Sequence, residues 1–177
     1  MAKHGLLFER DNFLKNCINR AGIADFDIDG GNVVVIGAIQ SGNDELYALN
    51  KYATGGKQVA IAYNPSVKYD VIGGNKFPAK SLDDRNYYNV AGDAVDVFIP
   101  EQNVEFGVQM ANIEGTTAPT VGKFLEPTNA STKFTIKDSQ TANVPSFEVV
   151  QIMNATYPTG DFSEDKEPVY IVKTRAN

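Results

Sequence analysis

The sequence predicts a mainly all-β protein, a small antiparallel β-barrel or sandwich with a short N-terminal helix or extended arm. Two observations carry this. Apolar and polar residues alternate, or run apolar, through NVVVIGAIQ (32–40), QVAIAYNPSVKYD (58–70), SLDDRNYYNVAGDAVDVFIP (81–100), NVEFGVQM (103–110) and VGKFLEP (121–127), a strand signature. These runs are short, with Gly, Asn, Asp and Pro between them, which suits a barrel or sandwich better than strands alternating with long helices.

Residues 1–29 read as an arm or short helix and 30–177 as the β-domain. Phe13, Leu14, Cys17, Ile18 and Ala21 recur at helical spacing, with Asp11 or Asn12 as a cap and Gly22 as a stop. The other reading of 1–24 is an extended arm lying on a neighbouring subunit; either way its apolar face needs a cover. In 25–29, Phe26 and Ile28 alternate with three aspartates. Gly30-Gly31-Asn32 turns into a strand at 33–39, whose nearly unbroken apolar run predicts burial on both faces. Strands follow at 45–49 and at 58–63, the latter stopped by Pro65. The turn-rich 70–87 reads as a long surface loop. Further strands are expected near 94–99, 104–110, 120–125, 132–137, 146–153 and 169–174, with the acidic 155–168 as an exposed loop.

Composition limits what this scaffold can do. With 177 residues the chain is one domain, or one domain with an arm. Its net charge of −6, with basic residues scattered, makes nucleic acid a poor partner, because phosphate binding needs concentrated Lys and Arg. One cysteine excludes an internal disulfide framework. No run of about 18 apolar residues is present, so nothing here is expected to span a membrane. The expectation is a soluble product of the cytoplasm.

Catalytic and metal chemistry have little to work with. The chain has one His and one Cys. His4 reads as a solvated terminal residue rather than a positioned base, and Cys17 as a small buried hydrophobe rather than a nucleophile. Zinc would need more soft ligands. Asp25-Phe26-Asp27-Ile28-Asp29-Gly30 imitates the opening of a calcium loop, but Ile36 stands where the bidentate Glu would be required; the competing reading is an alternating edge strand. Asp83-Asp84 and Glu164-Asp165-Glu167 are adjacent acids in turn-rich sequence, expected to point into water rather than across a cleft. Gly55-Gly56-Lys57 lacks phosphate-loop spacing. No cofactor, metal or catalytic residue is assigned, and the chain is expected not to be an enzyme.

The aromatics offer more, with 8 Tyr, 10 Phe and no Trp. Tyr63, Tyr69, Tyr87 and Tyr88 flank the 64–88 segment, either as interface anchors or as sheet-face packing. Glycan stacking on them is a further reading, which the lack of Trp weakens. The N-terminal apolar set, Phe8, Phe13, Leu14 and Ile18, is the first candidate contact surface, and the tyrosine segment is the second.

The order and spacing of Val33-Val34-Val35-Ile36-Gly37, Glu45-Leu46-Tyr47-Ala48, Ala60 to Asp70, Leu82-Asp83-Asp84, Ala91-Gly92-Asp93-Ala94-Val95 and Val121-Gly122-Lys123-Phe124-Leu125 resemble the capsid decoration (auxiliary or cement) proteins of tailed bacteriophages, across roughly residues 30–175. The resemblance implies a β-rich, non-enzymatic virion protein on the capsid surface that bridges major capsid protein subunits, often as a trimer. It transfers no catalytic residues. Residues 1–29 and 155–168 depart from the shorter members. A different head, head–tail or tail component is the nearest alternative, followed by a glycan-binding β-domain for host attachment.

Overall fold

The computed structural model describes residues 3–10, 17–42, 45–56, 58–73, 75–78, 81, 83–158 and 164–177. The strands are β1 (Phe8–Glu9), β2 (Cys17–Ile23), β3 (Val33–Ile39), β4 (Leu46–Asn50), β5 (Ala60–Ala62), β6 (Tyr69–Ile72), β7 (Asn75–Pro78), β8 (Ala94–Pro100), β9 (Glu105–Gln109), β10 (Phe124–Pro127), β11 (Phe134–Lys137), β12 (Ser146–Pro158) and β13 (Glu164–Ala176), with 3₁₀ turns at Asp84–Asn86 and Met110–Asn112. A closed barrel, β2-β4-β3-β5-β8, stands beside a six-stranded sheet ordered β1-β9-β13-β12-β10-β11, and β6 and β7 form a separate hairpin.

The all-β expectation holds, and the helical alternative for the N-terminal segment does not. Residues 17–23 pair with β8 along their length, from Cys17↔Pro100 to Ile23↔Ala94, and Gly22 lies inside the strand rather than ending a helix. A Cβ on Gly22 would approach Leu49 and the Tyr47 carbonyl to 2.6 Å, so the glycine admits β4 close beside it. That neighbour runs parallel to β2, whereas the other pairs of named strands are antiparallel; a lone parallel bridge joins Ile113 to Phe134. Phe13 and Leu14 lie outside the described residues. The rest of the expected arm is built into the two sheets: residues 3–10 lead into β1 on the open sheet, and 17–23 form barrel wall.

Alternation along the barrel strands sorts side chains into two cores. Val34, Ala60, Ala62, Val95, Val97 and Leu49 form one buried cluster with Ile28 and Ala24; these small residues suit the narrow interior of a five-stranded barrel. The opposite parity, Val33, Ile61 and Phe98, joins Phe106, Leu125, Phe134, Phe147, Tyr170 and Val172 of the open sheet. Barrel and sheet therefore share one hydrophobic layer. A ladder of rings runs through it: Phe98 to Phe106 (centroids 5.6 Å, 83°), Phe106 to Phe147 (5.5 Å, 73°), and Phe147 to Phe134 (5.5 Å, 77°). Edge-to-face contacts of this kind add about 0.5–1.5 kcal/mol each beyond burial.

Polar groups close the same seam. The Asn112 amide, fully buried, donates to the Gly30 carbonyl at 2.8 Å and to Asn32 Oδ1 at 2.9 Å, and its Oδ1 accepts the Gln109 N–H at 3.0 Å. It thus joins the end of β9 to the turn that enters β3.

Three expected loops or faces differ from the structure. The 33–39 strand is buried only at Val33 and Val34, is half-buried from Val35 to Gly37, and leaves Ala38 and Ile39 exposed, because beyond Ile36 the strand passes out of both cores. The 70–87 segment holds the β6–β7 hairpin and a 3₁₀ turn whose Arg85 is fully buried. The acidic 155–168 continues the β12–β13 hairpin, with Ala155↔Glu167, Thr156↔Lys166 and Tyr157↔Asp165 in register; its charges alternate between two faces instead of all meeting water.

Candidate interaction surfaces

The most elaborate polar constellation centres on Arg85. The Asp83 carboxylate caps the 3₁₀ turn by accepting the Arg85 backbone N–H at 3.0 Å. The same carboxylate receives the guanidinium, Nε to Oδ1 at 2.9 Å and Nη2 to Oδ2 at 2.6 Å. Arg85 Nη1 reaches Glu167 Oε1 at 2.7 Å and Asp165 Oδ2 at 3.0 Å across the hairpin, and the guanidinium lies 4.0 Å from the Tyr157 ring centroid. Gln109 Nε2 donates to the Tyr157 hydroxyl at 2.7 Å and to Glu167 at 3.2 Å. From the N-terminal segment, Lys3 adds an ion pair to Asp165, and the His4 N–H donates to the Arg85 carbonyl at 2.8 Å.

A buried guanidinium needs such partners, since unpaired burial of a charge is prohibitive. The electrostatics follow. Arg85 holds the Asp83 carboxyl below its usual range. The Lys3 hydrogen bond, then Arg85, does the same for Asp165. Burial pushes the Tyr157 hydroxyl well above an ordinary phenol. Every charge here is spent on another, so the cluster is a clasp tying the 83–87 segment, the N-terminal segment and the β12–β13 hairpin together. The expectation that Asp83 and Asp84 both face water holds only for Asp84, which pairs with Lys68 at 2.5 Å.

His4 is not a solvated terminal residue. It is half-buried, with Nδ1 at 2.7 Å from Asp29 Oδ1, and its ring lies on Tyr88 at 4.4 Å between centroids. Asp29 also accepts the Gly5 N–H, and Asp27 accepts the Ala91 N–H. These carboxylates thus bond to protein groups at separate places. Ile28 is buried, as the edge-strand reading expects of it, but 25–29 forms no strand, only an isolated bridge from Ile28 to Asn89. Among the described residues no three His, Cys, Asp or Glu side chains converge to hold a metal ion. Cys17 is half-buried against the shared core, and burial pushes its thiol up to about 11.

The expected contact residues separate into distinct environments. Phe8 is half-buried over Gly107, where an added Cβ would meet Phe8 Cβ at 2.9 Å and Val169 at 2.7 Å, so its ring covers its own sheet. It also lines a cleft of about 140 Å³ with Arg10, Met153 and Val169. Ile18 stays 42 % exposed on the barrel. Tyr87 is 2 % exposed and its hydroxyl bonds to Ser81, which removes it from the surface set. Tyr69 begins β6 opposite Pro78. Tyr63 packs on Phe98 at 5.3 Å and donates to Asn19 Oδ1 at 2.9 Å, with burial pushing its phenol up to about 12. Tyr63 lines an open cleft of about 570 Å³ with Asn19, Arg20, Asn64, Ser66 and Asp96. A second cleft of about 250 Å³ next to it, sharing Ser66, is lined by Tyr88. The structure therefore places Tyr63 and Tyr88 in two neighbouring clefts that meet at Ser66 and keeps Phe8 and Ile18 apart.

Sequence reasoning missed a surface on the β6–β7 hairpin. Ile72 lies opposite Asn75, and Asp70 opposite Phe77, so Ile72 and Phe77 are diagonal neighbours on one face. They are 61 % and 43 % exposed, and Val67 just before the hairpin is 66 % exposed. From the other face Lys76 reaches back to Asp93 at 2.6 Å. The available signal was the alternation Asp70, Ile72 and Asn75, Phe77 around Gly73-Gly74, hidden by the turn-rich composition. What the fold and these surfaces define is an all-β protein with a closed barrel, an open sheet and an apolar hairpin face. No family model, curated protein or solved structure matches this chain.

Proposed function

We propose that this chain is a non-enzymatic virion structural protein that binds the outside of a tailed-phage capsid and stabilises contacts between major capsid subunits. The observation that carries the reading is the β6–β7 hairpin. A two-stranded sheet by itself is marginal in water, and this one holds Ile72 and Phe77 outward while Lys76 anchors its other side. Adjacent exposed apolar side chains on a polar surface mark a protein-binding patch. The hairpin begins within the 60–70 segment of the family resemblance, which also holds β5, and the barrel walls β3, β4 and β8 overlap its other stretches in part.

Co-sedimentation with shells lacking this protein tests the proposal. Saturable binding that falls at least about tenfold with Ile72→Ser/Phe77→Ser supports it, a loss of about 1.4 kcal/mol. No binding at saturating concentration sinks it. Copy number separates decoration, with hundreds per particle, from the alternative of a head–tail or tail component.

The groove beside Tyr63 favours a second reading, a glycan-binding domain, because two amides, a guanidinium and the Asp96 carboxylate line it beside an aromatic ring. A glycan array with no signal, or with signal unchanged by Tyr63→Ala, removes that reading.

A further inference from the structure

We infer that the outer edge of β12, residues 151–157, is where a second copy of this chain adds on, strand to strand and antiparallel, about a two-fold axis. On its β10 side, β12 is paired only near its start: Phe124↔Glu148 and Leu125↔Phe147, followed by Gly122 N–H to Val149 O and Val149 N–H to Lys123 O, both at 2.8 Å. A register shift between Val149 and Gln151 follows, and an extra residue of this kind bends a strand and ends pairing on one side. From Gln151 onward β12 keeps β13 on one side as far as Pro158↔Glu164. Among the described residues no strand pairs with the other side. About seven residues, roughly 24 Å of backbone, thus present outward N–H and C=O groups.

Among the described residues the other strand edges named here are short, closed or guarded against pairing. The barrel closes on itself. β1 is only Phe8–Glu9. β11 ends in Lys137 and follows Lys133. The β6–β7 hairpin has Asp70, Lys76 and Pro78. The partner strand in the same hairpin is the most heavily guarded, since β13 opens Glu164-Asp165-Lys166-Glu167-Pro168. Against these, 151–157 reads Gln-Ile-Met-Asn-Ala-Thr-Tyr, without a charge, a proline or a register shift, and Ile152 and Met153 are 43 % and 40 % exposed.

Charge and symmetry select the occupant. A chain of net charge −6 meets its own copy at a cost wherever like charges face each other. An antiparallel pair centred on Asn154 sets Gln151 against Tyr157, Ile152 against Thr156 and Met153 against Ala155, so no charged residue of the strand is apposed. The nearest charge is Arg10, whose Nη1 lies 3.5 Å from Met153 Sδ. One open edge per chain gives an isologous contact that closes at two copies; a three-fold ring would need two different complementary edges. This contact stands independently of the capsid reading.

The test is native mass spectrometry and sedimentation equilibrium of the full chain, with amide hydrogen exchange followed over a dilution series. The expected species has twice the 19.2 kDa chain mass, with alternate amides in 151–157 slow when concentrated and faster on dilution. Ile152→Lys/Asn154→Lys, at solvent-facing positions, sets four lysines along the contact. It is expected to weaken self-association at least about tenfold while circular dichroism, and melting at dilutions where the parent is a monomer, stay unchanged. Ile72→Lys, on the other apolar surface, leaves self-association as it was. A monomer at all concentrations, a trimer, or a double-lysine variant that assembles normally overturns the inference. So do edge amides protected at every dilution, the signature of an edge already covered within a single chain. Failure to bind shells would remove the capsid reading and leave this one standing.

Discussion

In the barrel, every strand has two neighbours, and the interior is filled by Val34, Ala60, Ala62, Val95 and Val97. In the open sheet, β12 and β13 run well past the strands that flank them, and the projecting hairpin is held by polar contacts around Arg85 instead of by apolar packing. Both regions share the Phe98–Phe106–Phe147–Phe134 ladder. The contrast shows one chain using closure to dispose of strand edges in one place and an ion cluster to hold a free-standing element in another. Closure leaves no strand edge to pair; the projection leaves one.

If the two regions share one core, removing its central ring must unfold both together. Phe147→Ala deletes a fully buried ring with a neighbour on each side and should cost about 3–5 kcal/mol. Denaturant unfolding, followed by circular dichroism and by tyrosine fluorescence, should then show one coincident transition at lower midpoint. Separate transitions for the two probes would mean that barrel and sheet are distinct cooperative units.

The hairpin depends on Arg85 in a way the barrel does not. Arg85→Met keeps much of the volume but leaves Asp83 and Glu167 without their counter-ion, and should destabilise by about 3 kcal/mol. Hydrogen exchange should accelerate first at 155–158 and 164–168, with barrel amides following only the global change. Uniform acceleration across both regions would show that the clasp belongs to the common core.

Asn112 probes the polar side of the seam. Asn112→Ala strands the Gly30 carbonyl and the Gln109 N–H inside the protein, and should cost about 1–3 kcal/mol. Asn112→Asp, which can still accept from Gln109 but cannot donate to Gly30, should be no better. A melting temperature equal to that of the parent in either variant would show that the junction is held by the rings alone.

How much of this was legible follows from what each element is made of. β8 and β9 stand out because alternation and apolar content agree in Ala94–Pro100 and Glu105–Gln109. β2 does not, since Cys17, Ile18 and Ala21 sit at spacings that also suit a helix, and only pairing with β8 and β4 decides. The hairpin ends were hidden by composition: Glu164 to Pro168 is acidic, and acidity reads as loop until Arg85, about eighty residues away in sequence, supplies the partner. Of the expected contact residues, Tyr63 and Tyr88 line neighbouring clefts, whereas Tyr87 is consumed internally. Alternation cannot tell a tyrosine on an outer face from one folded over a 3₁₀ turn.

The smallest expected effect separates the two regions by acidity. The Asp83 carboxyl titrates below its ordinary value because Arg85 is its hydrogen-bonded partner, and Asp165 is lowered through Lys3 and Arg85. In the unfolded chain these groups take up protons near pH 3.9. Near and below that pH the unfolded state therefore binds more protons than the folded one, and stability falls as pH drops through the depressed folded values. The stabilisation is fully present above about pH 5. In Arg85→Met the buried Asp83 has lost the cation that kept it ionised, so protonation near pH 4 should favour the folded state, and the gap between parent and variant should narrow on acidification. Denaturant midpoints from pH 7 to pH 3 measure this directly. A gap that stays constant would mean that Asp83 does not draw its stability from Arg85, and that the clasp is held by the Tyr157 stacking and the backbone contacts of His4 instead.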